Sequence, residues 1–128
     1  MLKKVKRLCL LLIVLTAACG GRQNQPANDT GVTITVQPAA VAVGETSLTV
    51  TLTDANGQPV TEAEVAVRGD MSHAGMTPVL RSGLPEEPGV YTVPFAWTMA
   101  GDWILTVDFT LPDGRSGSET FDFSIAAP

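Results

Sequence analysis

The chain has 128 residues, 45% of them apolar and 16% charged, and carries a formal net charge of −5. That much apolar material can form one small core, modest but sufficient for a single domain. The acidic balance argues against nucleic acid, which selects a basic surface.

The first residues, Met1-Leu2-Lys3-Lys4-Val5-Lys6-Arg7, form a compact positive patch, and an apolar run follows from Leu8 to Leu15. Small residues then lead to Cys19 and Gly20. A basic region, a short apolar region and a small-residue cleavage site make a secretory signal. The apolar run is well short of the ~20 residues that span a bilayer. Leu15-Thr16-Ala17-Ala18-Cys19 resembles a bacterial lipobox. The expectation is a signal peptide over 1–18, cleavage before Cys19, and a lipid on Cys19 that anchors the chain outside the cytoplasmic membrane, on the periplasmic or cell-surface side. An ordinary secretory signal that happens to contain Cys19 is the alternative.

Cleavage would remove four of the eight basic residues and none of the 13 acids. The mature chain would keep four arginines and no lysine, giving a net charge of −9. Such a surface repels anionic headgroups and suits a cation or a cationic partner. Cys9 would leave with the signal and Cys19 would carry the lipid, so no thiol would remain for a disulfide, a nucleophile or a thiolate metal site.

Residues 19–31 contain the lipidated cysteine and a polar stretch without periodicity, read as a tether. From residue 32 to 128 the chain reads as one all-β, immunoglobulin-like sandwich of seven strands. Val32–Val36 and Leu48–Leu52 alternate apolar and polar residues, and Asp54-Ala55-Asn56-Gly57-Gln58-Pro59 is a turn. Val65 and Val67 mark a third strand, and residues 76–81 a fourth. Tyr91, Val93, Phe95 and Trp97 share one face of the fifth, and Trp103, Leu105, Val107, Phe109 and Leu111 one face of the sixth. Pro112-Asp113-Gly114 turns the chain into a last strand with Phe121, Phe123 and Ile125. Glu86-Glu87 reads as a solvated loop.

Every methionine and histidine after residue 31 falls outside the long strands. Met71, His73 and Met76 lie in one hexapeptide, and Met99 lies between the fifth and sixth strands. Alternate connections of a sandwich emerge at the same end, so these two segments should meet. If the backbone stays extended, Met71, His73 and Met99 keep the inward register of their strands and lean toward the open end of the core, where Met76 could close a ring. Thioethers are soft neutral ligands that favour Cu(I), and imidazole suits copper as well. One histidine without thiolates or converging carboxylates is a poor zinc set. The competing reading is apolar packing at a sandwich end, with the same surface serving a metal-free interaction module. An enzyme is disfavoured: Ser72 and His73 are neighbours on opposite faces, and no orienting acid or oxyanion site is recognisable.

The order of Asp54-Ala55-Asn56-Gly57-Gln58-Pro59-Val60, the Met-x-His-x-x-Met segment, Pro88-Gly89-Val90-Tyr91 and Met99-Ala100-Gly101-Asp102-Trp103 resembles the YtkA-like domains of bacterial extracytoplasmic proteins, related to FixH-type proteins. The resemblance covers about residues 45–125. It implies an immunoglobulin-like sandwich linked to copper transport or to assembly of copper-containing oxidases. It also implies Met71, His73, Met76 and Met99 as ligands, with one ion per domain at most. The partner would then be a membrane copper protein or an oxidase subunit, and the carrier itself a monomer.

Overall fold

The computed structural model describes residues 30–128. The expected signal peptide, the lipid attachment at Cys19 and residues 20–29 of the expected tether lie outside that range.

Eight strands form two four-stranded antiparallel sheets. They are β1 (Thr33–Pro38), β2 (Gly44–Thr53), β3 (Glu64–Met71), β4 (Val79–Ser82), β5 (Leu84–Glu87), β6 (Val90–Trp97), β7 (Gly101–Thr110) and β8 (Ser116–Ile125). One sheet runs β1-β2-β6-β5 and the other β4-β3-β7-β8. The result is an immunoglobulin-like β-sandwich, as the alternation in the sequence implies.

The eighth strand corrects the expectation of seven. The strand expected over 76–81 begins only at Val79, and the chain changes sheets at Gly83. There the Gly83 N–H donates to the Val65 carbonyl at 2.8 Å, and Leu84–Glu87 then pairs with β6 in the opposite sheet. Glu86 and Glu87, read as a loop, therefore belong to an edge strand. Every residue of β5 is exposed, so its side chains carry no inward period to reveal it.

The core forms where the inward faces of both sheets meet. Leu48, Val50 and Leu52 of β2, Val65 and Val67 of β3, Tyr91 to Trp97 of β6 in steps of two, and Trp103 to Phe109 of β7 in steps of two are all buried. Tyr91 also closes the crossing between the sheets: its hydroxyl donates to the Val60 carbonyl at 2.9 Å and accepts from the Ala63 N–H at 3.1 Å. The turn at 54–59 is built by Asp54, whose carboxylate accepts from the Asn56 and Gln58 N–H groups at 2.9 and 3.0 Å. Asp113 plays the same part before Arg115 at the β7–β8 turn.

Candidate metal site at one end of the sandwich

The antiparallel pairing of β3 with β7 sets Met71 directly opposite Trp103. Residues 72–78, after β3, and residues 98–100, before β7, therefore emerge at the same end. The Ser72 N–H donates to the Asp102 carbonyl at 3.0 Å and ties the start of the first segment to β7, just past the second. The two Met/His-bearing connections emerge at the same end, as the strand order implies, and we call this end the rim.

An aromatic layer floors the rim. Trp97 and Trp103 meet edge to face, with ring centroids 5.4 Å apart, and Phe95 stands edge-on to both at 4.8 and 6.2 Å. Phe123 lies 5.9 Å from Trp97. Both indoles are buried, and their polar edges are satisfied by loop carbonyls: Trp97 Nε1–H donates to Ala40 at 2.8 Å, and Trp103 Nε1–H to Met99 at 3.0 Å. Such edge-to-face packing gives the floor a fixed geometry.

The four expected ligands are placed differently from one another. Met71 is buried at the end of β3 and continues the inward register of Val65 and Val67. Its methyl group lies over the Gly101 backbone, where a built Cβ would sit 3.1 Å from Met71 Cε. Gly101 has a φ of +128°, a conformation that L side chains rarely adopt, so glycine serves both the turn and the thioether. Met76 is half-buried and packs against the core.

His73 and Met99 depart from the register expected of them. The backbone leaves the extended conformation after Met71 and turns at Ala74-Gly75, with Gly75 at a φ of +91°. His73 is consequently exposed rather than inward. Met99 occupies a bend after Trp97 and its side chain is 44% exposed. Two thioethers thus pack into the margin of the core, while an imidazole and a third thioether lie outside it on the same rim.

Acids near the rim are engaged in local contacts. Asp70 accepts from Arg68 at 2.8 and 3.0 Å, and this pairing holds the guanidinium above its usual pKa. Asp102 accepts from the Ser124 hydroxyl at 2.8 Å, beside a shallow groove lined by Ile104, Asp122 and Phe123. Among the described residues, no group of three or more His, Cys, Asp or Glu side chains could hold a metal ion. Thioether and imidazole are soft donors of the kind that suit a soft monovalent ion.

Gly101 and Ser72 shape the rim through backbone contacts that the sequence did not reveal: Ser72 was weighed only as a nucleophile, and Gly101 only as part of the Gly101-Asp102-Trp103 run.

A two-sheet sandwich with paired loops at one end is the class of protein that these features define. The model of the YtkA-like family matches residues 24–108, and the chain belongs to that family. No curated protein matches. Among solved structures, the chain is similar to MtrC from Shewanella baltica OS185, at 17% identity and a TM-score of 0.46, over 76% of this chain and 23% of that one. It is also similar to the fibronectin type-III domain of human fibronectin type III domain containing protein 3, at 16% identity and a TM-score of 0.41, over 85% of this chain and 94% of that one. The chain thus spans less than a quarter of the MtrC chain's length.

Proposed function

We propose that this protein is an extracytoplasmic, lipid-anchored Cu(I)-binding protein that carries one ion per domain and has no catalytic activity. The observation that supports this reading best is that Met71, His73, Met76 and Met99 all lie at one end of the sandwich, where the Ser72–Asp102 hydrogen bond ties the segment after β3 to the start of β7. Membership of the YtkA-like family is consistent with it.

The donors would act unequally. His73 and Met99 are exposed and would meet an incoming ion first. Met76 lies at the margin of the core, and Met71 would join by turning its thioether from Gly101 toward the rim. An unbranched side chain makes that change at low cost. Release by ligand exchange would follow the same order in reverse, from buried donors to exposed ones. Cu(I) is the cargo of such a carrier, and the recipient would be a membrane copper protein or an oxidase subunit. The aromatic floor would keep water from the inner side of the site.

A second reading is supported by the exposure of Met99 above the buried indoles. The rim would then be an adaptable apolar contact for another envelope protein, with no metal. Thermal unfolding separates the two. A ligand that binds only the folded chain raises Tm. The carrier reading expects Tm to rise with Cu(I) under anaerobic conditions and to be unmoved by Zn(II). An unchanged Tm with both ions would favour the contact surface.

A further inference from the structure

Each sheet ends in two edge strands, β1 and β5 in one and β4 and β8 in the other. Three of these edges are short or interrupted. β1 has six residues and ends at Pro38, β4 has four, and β5 has four with Pro85 and a register shift among them. β8 differs. It keeps an unbroken ten-residue register with β7, from Thr110 against Ser116 to Gly101 against Ile125, and contains no proline and no basic residue. Among the described residues, its outer side is covered only past Ile125. There the Ala126 N–H donates to the Val41 carbonyl at 2.9 Å, and the Ala126 carbonyl accepts from the Val43 N–H at 3.0 Å. Residues 116–124 thus present a row of backbone donors and acceptors that a further strand can use.

The side chains of β8 restrict which strand that can be. Glu119, Phe121 and Phe123 face the core side, opposite Val107, Leu105 and Trp103, and all three are half-buried. An apolar strand on this edge would cover the two phenyl rings but leave the Glu119 carboxylate buried and unpaired. A second copy fares no better. When the inward faces are aligned, antiparallel pairing of two β8 strands through their middles sets Glu119 against Glu119, Phe121 or Phe123, or else sets Asp122 against Asp122. Like charges directly opposed are destabilising, and so is a carboxylate pressed on an apolar side chain. Neither β7 nor β8 carries a lysine or arginine, and Asp102, Asp108 and Asp122 are exposed on their outer face. A basic residue opposite Glu119 removes the obstacle, and another opposite Asp122 gains from the same field.

We propose that residues 116–124 are a docking edge for an extended strand of another protein, added antiparallel to β8, with a lysine or arginine facing Glu119, a second basic residue facing Asp122, and apolar residues over Phe121 and Phe123. Backbone hydrogen bonds along the edge supply affinity, and the two carboxylates select against apolar strands and against self-pairing. The edge works in this way with or without a metal at the rim.

The test titrates the isotope-labelled full chain, as cells process it and in mild detergent, with the capped peptide Thr-Val-Lys-Val-Thr-Lys-Thr, and follows backbone amides by NMR. Within 116–124, the amides that point away from β7 should exchange quickly in the free protein, then shift and gain protection as peptide is added. A peptide with glutamate in place of both lysines should bind about tenfold more weakly. A peptide N-methylated at every residue keeps its charge but loses its hydrogen-bond donors, and it should not protect β8. Glu119→Gln should bind the lysine peptide several-fold more weakly while its amide spectrum stays that of the folded domain. Shifts confined to another surface, or equal binding of the N-methylated peptide, would overturn strand addition. Unchanged binding by Glu119→Gln would overturn the selecting role of the carboxylate. Protection of the outer β8 amides before any peptide is added would mean that a second copy, or the chain before Thr30, already occupies the edge, and would overturn the proposal as well.

Discussion

The indole N–H of Trp103 donates to the backbone carbonyl of Met99 at 3.0 Å, so a core side chain fixes the loop that carries an exposed thioether. The same indole lies across the sheet from Met71. One residue therefore connects the aromatic floor to both Met-bearing segments.

Trp103→Phe should loosen the rim without unfolding the domain. It leaves a void in the core and removes the partner of the Met99 carbonyl, for a combined cost of about 2–4 kcal/mol. Chemical denaturation measures that loss. Hydrogen exchange should show faster opening at residues 98–102 than in the distant β1–β2 pair.

Gly101→Ala adds a Cβ where φ is +128° and where Met71 Cε would be 3.1 Å away. Strain of this kind costs about 1–3 kcal/mol, and the displaced thioether should weaken Cu(I) binding as well. Combining it with Met71→Ala relieves the contact but not the backbone strain. The double variant should therefore be more stable than the sum of the two single losses implies. Strict additivity would place Met71 away from Gly101.

Glu119 faces the core side of β8, opposite Val107, and burial holds its carboxyl above the ordinary value of 4.5. A carboxyl raised on folding favours the folded state most when protonated, and that advantage is lost as pH rises through its folded pKa. Glu119→Gln should therefore raise Tm at pH 7, and the gain should shrink toward zero below about pH 4.5. Asp113 has the opposite sign: Arg115 hydrogen bonds lower its pKa, so its contribution is present at neutral pH and fades in acid. Thermal scans of Glu119→Gln and the parent from pH 4 to pH 7 check the first sign directly.

Much of this organisation was legible in the sequence. Leu48, Val50 and Leu52, Tyr91 to Trp97 and Trp103 to Leu111 alternate strictly, and all of them are buried where that alternation puts them. The Asp54 and Asp113 turns carry their own hydrogen-bonding side chains, so they too could be read locally. The crossing at Gly83 could not. β5 is exposed on both faces, so its position is set by backbone pairing with β6 rather than by a side-chain pattern. At the rim, strand order predicted that the two connections meet. The turn at Ala74-Gly75 then set His73 outward, because inward register lapses once the ladder ends.

The most direct test of the Cu(I) reading is an anaerobic titration of residues 20–128 against a colorimetric Cu(I) chelator, with His73→Ala and the double variant Met71→Leu/Met76→Leu alongside. The account predicts one equivalent held by the parent and weaker competition by both variants, with their folds intact by circular dichroism. A parent that takes no Cu(I) from the chelator, or variants that compete as well as the parent, would contradict it.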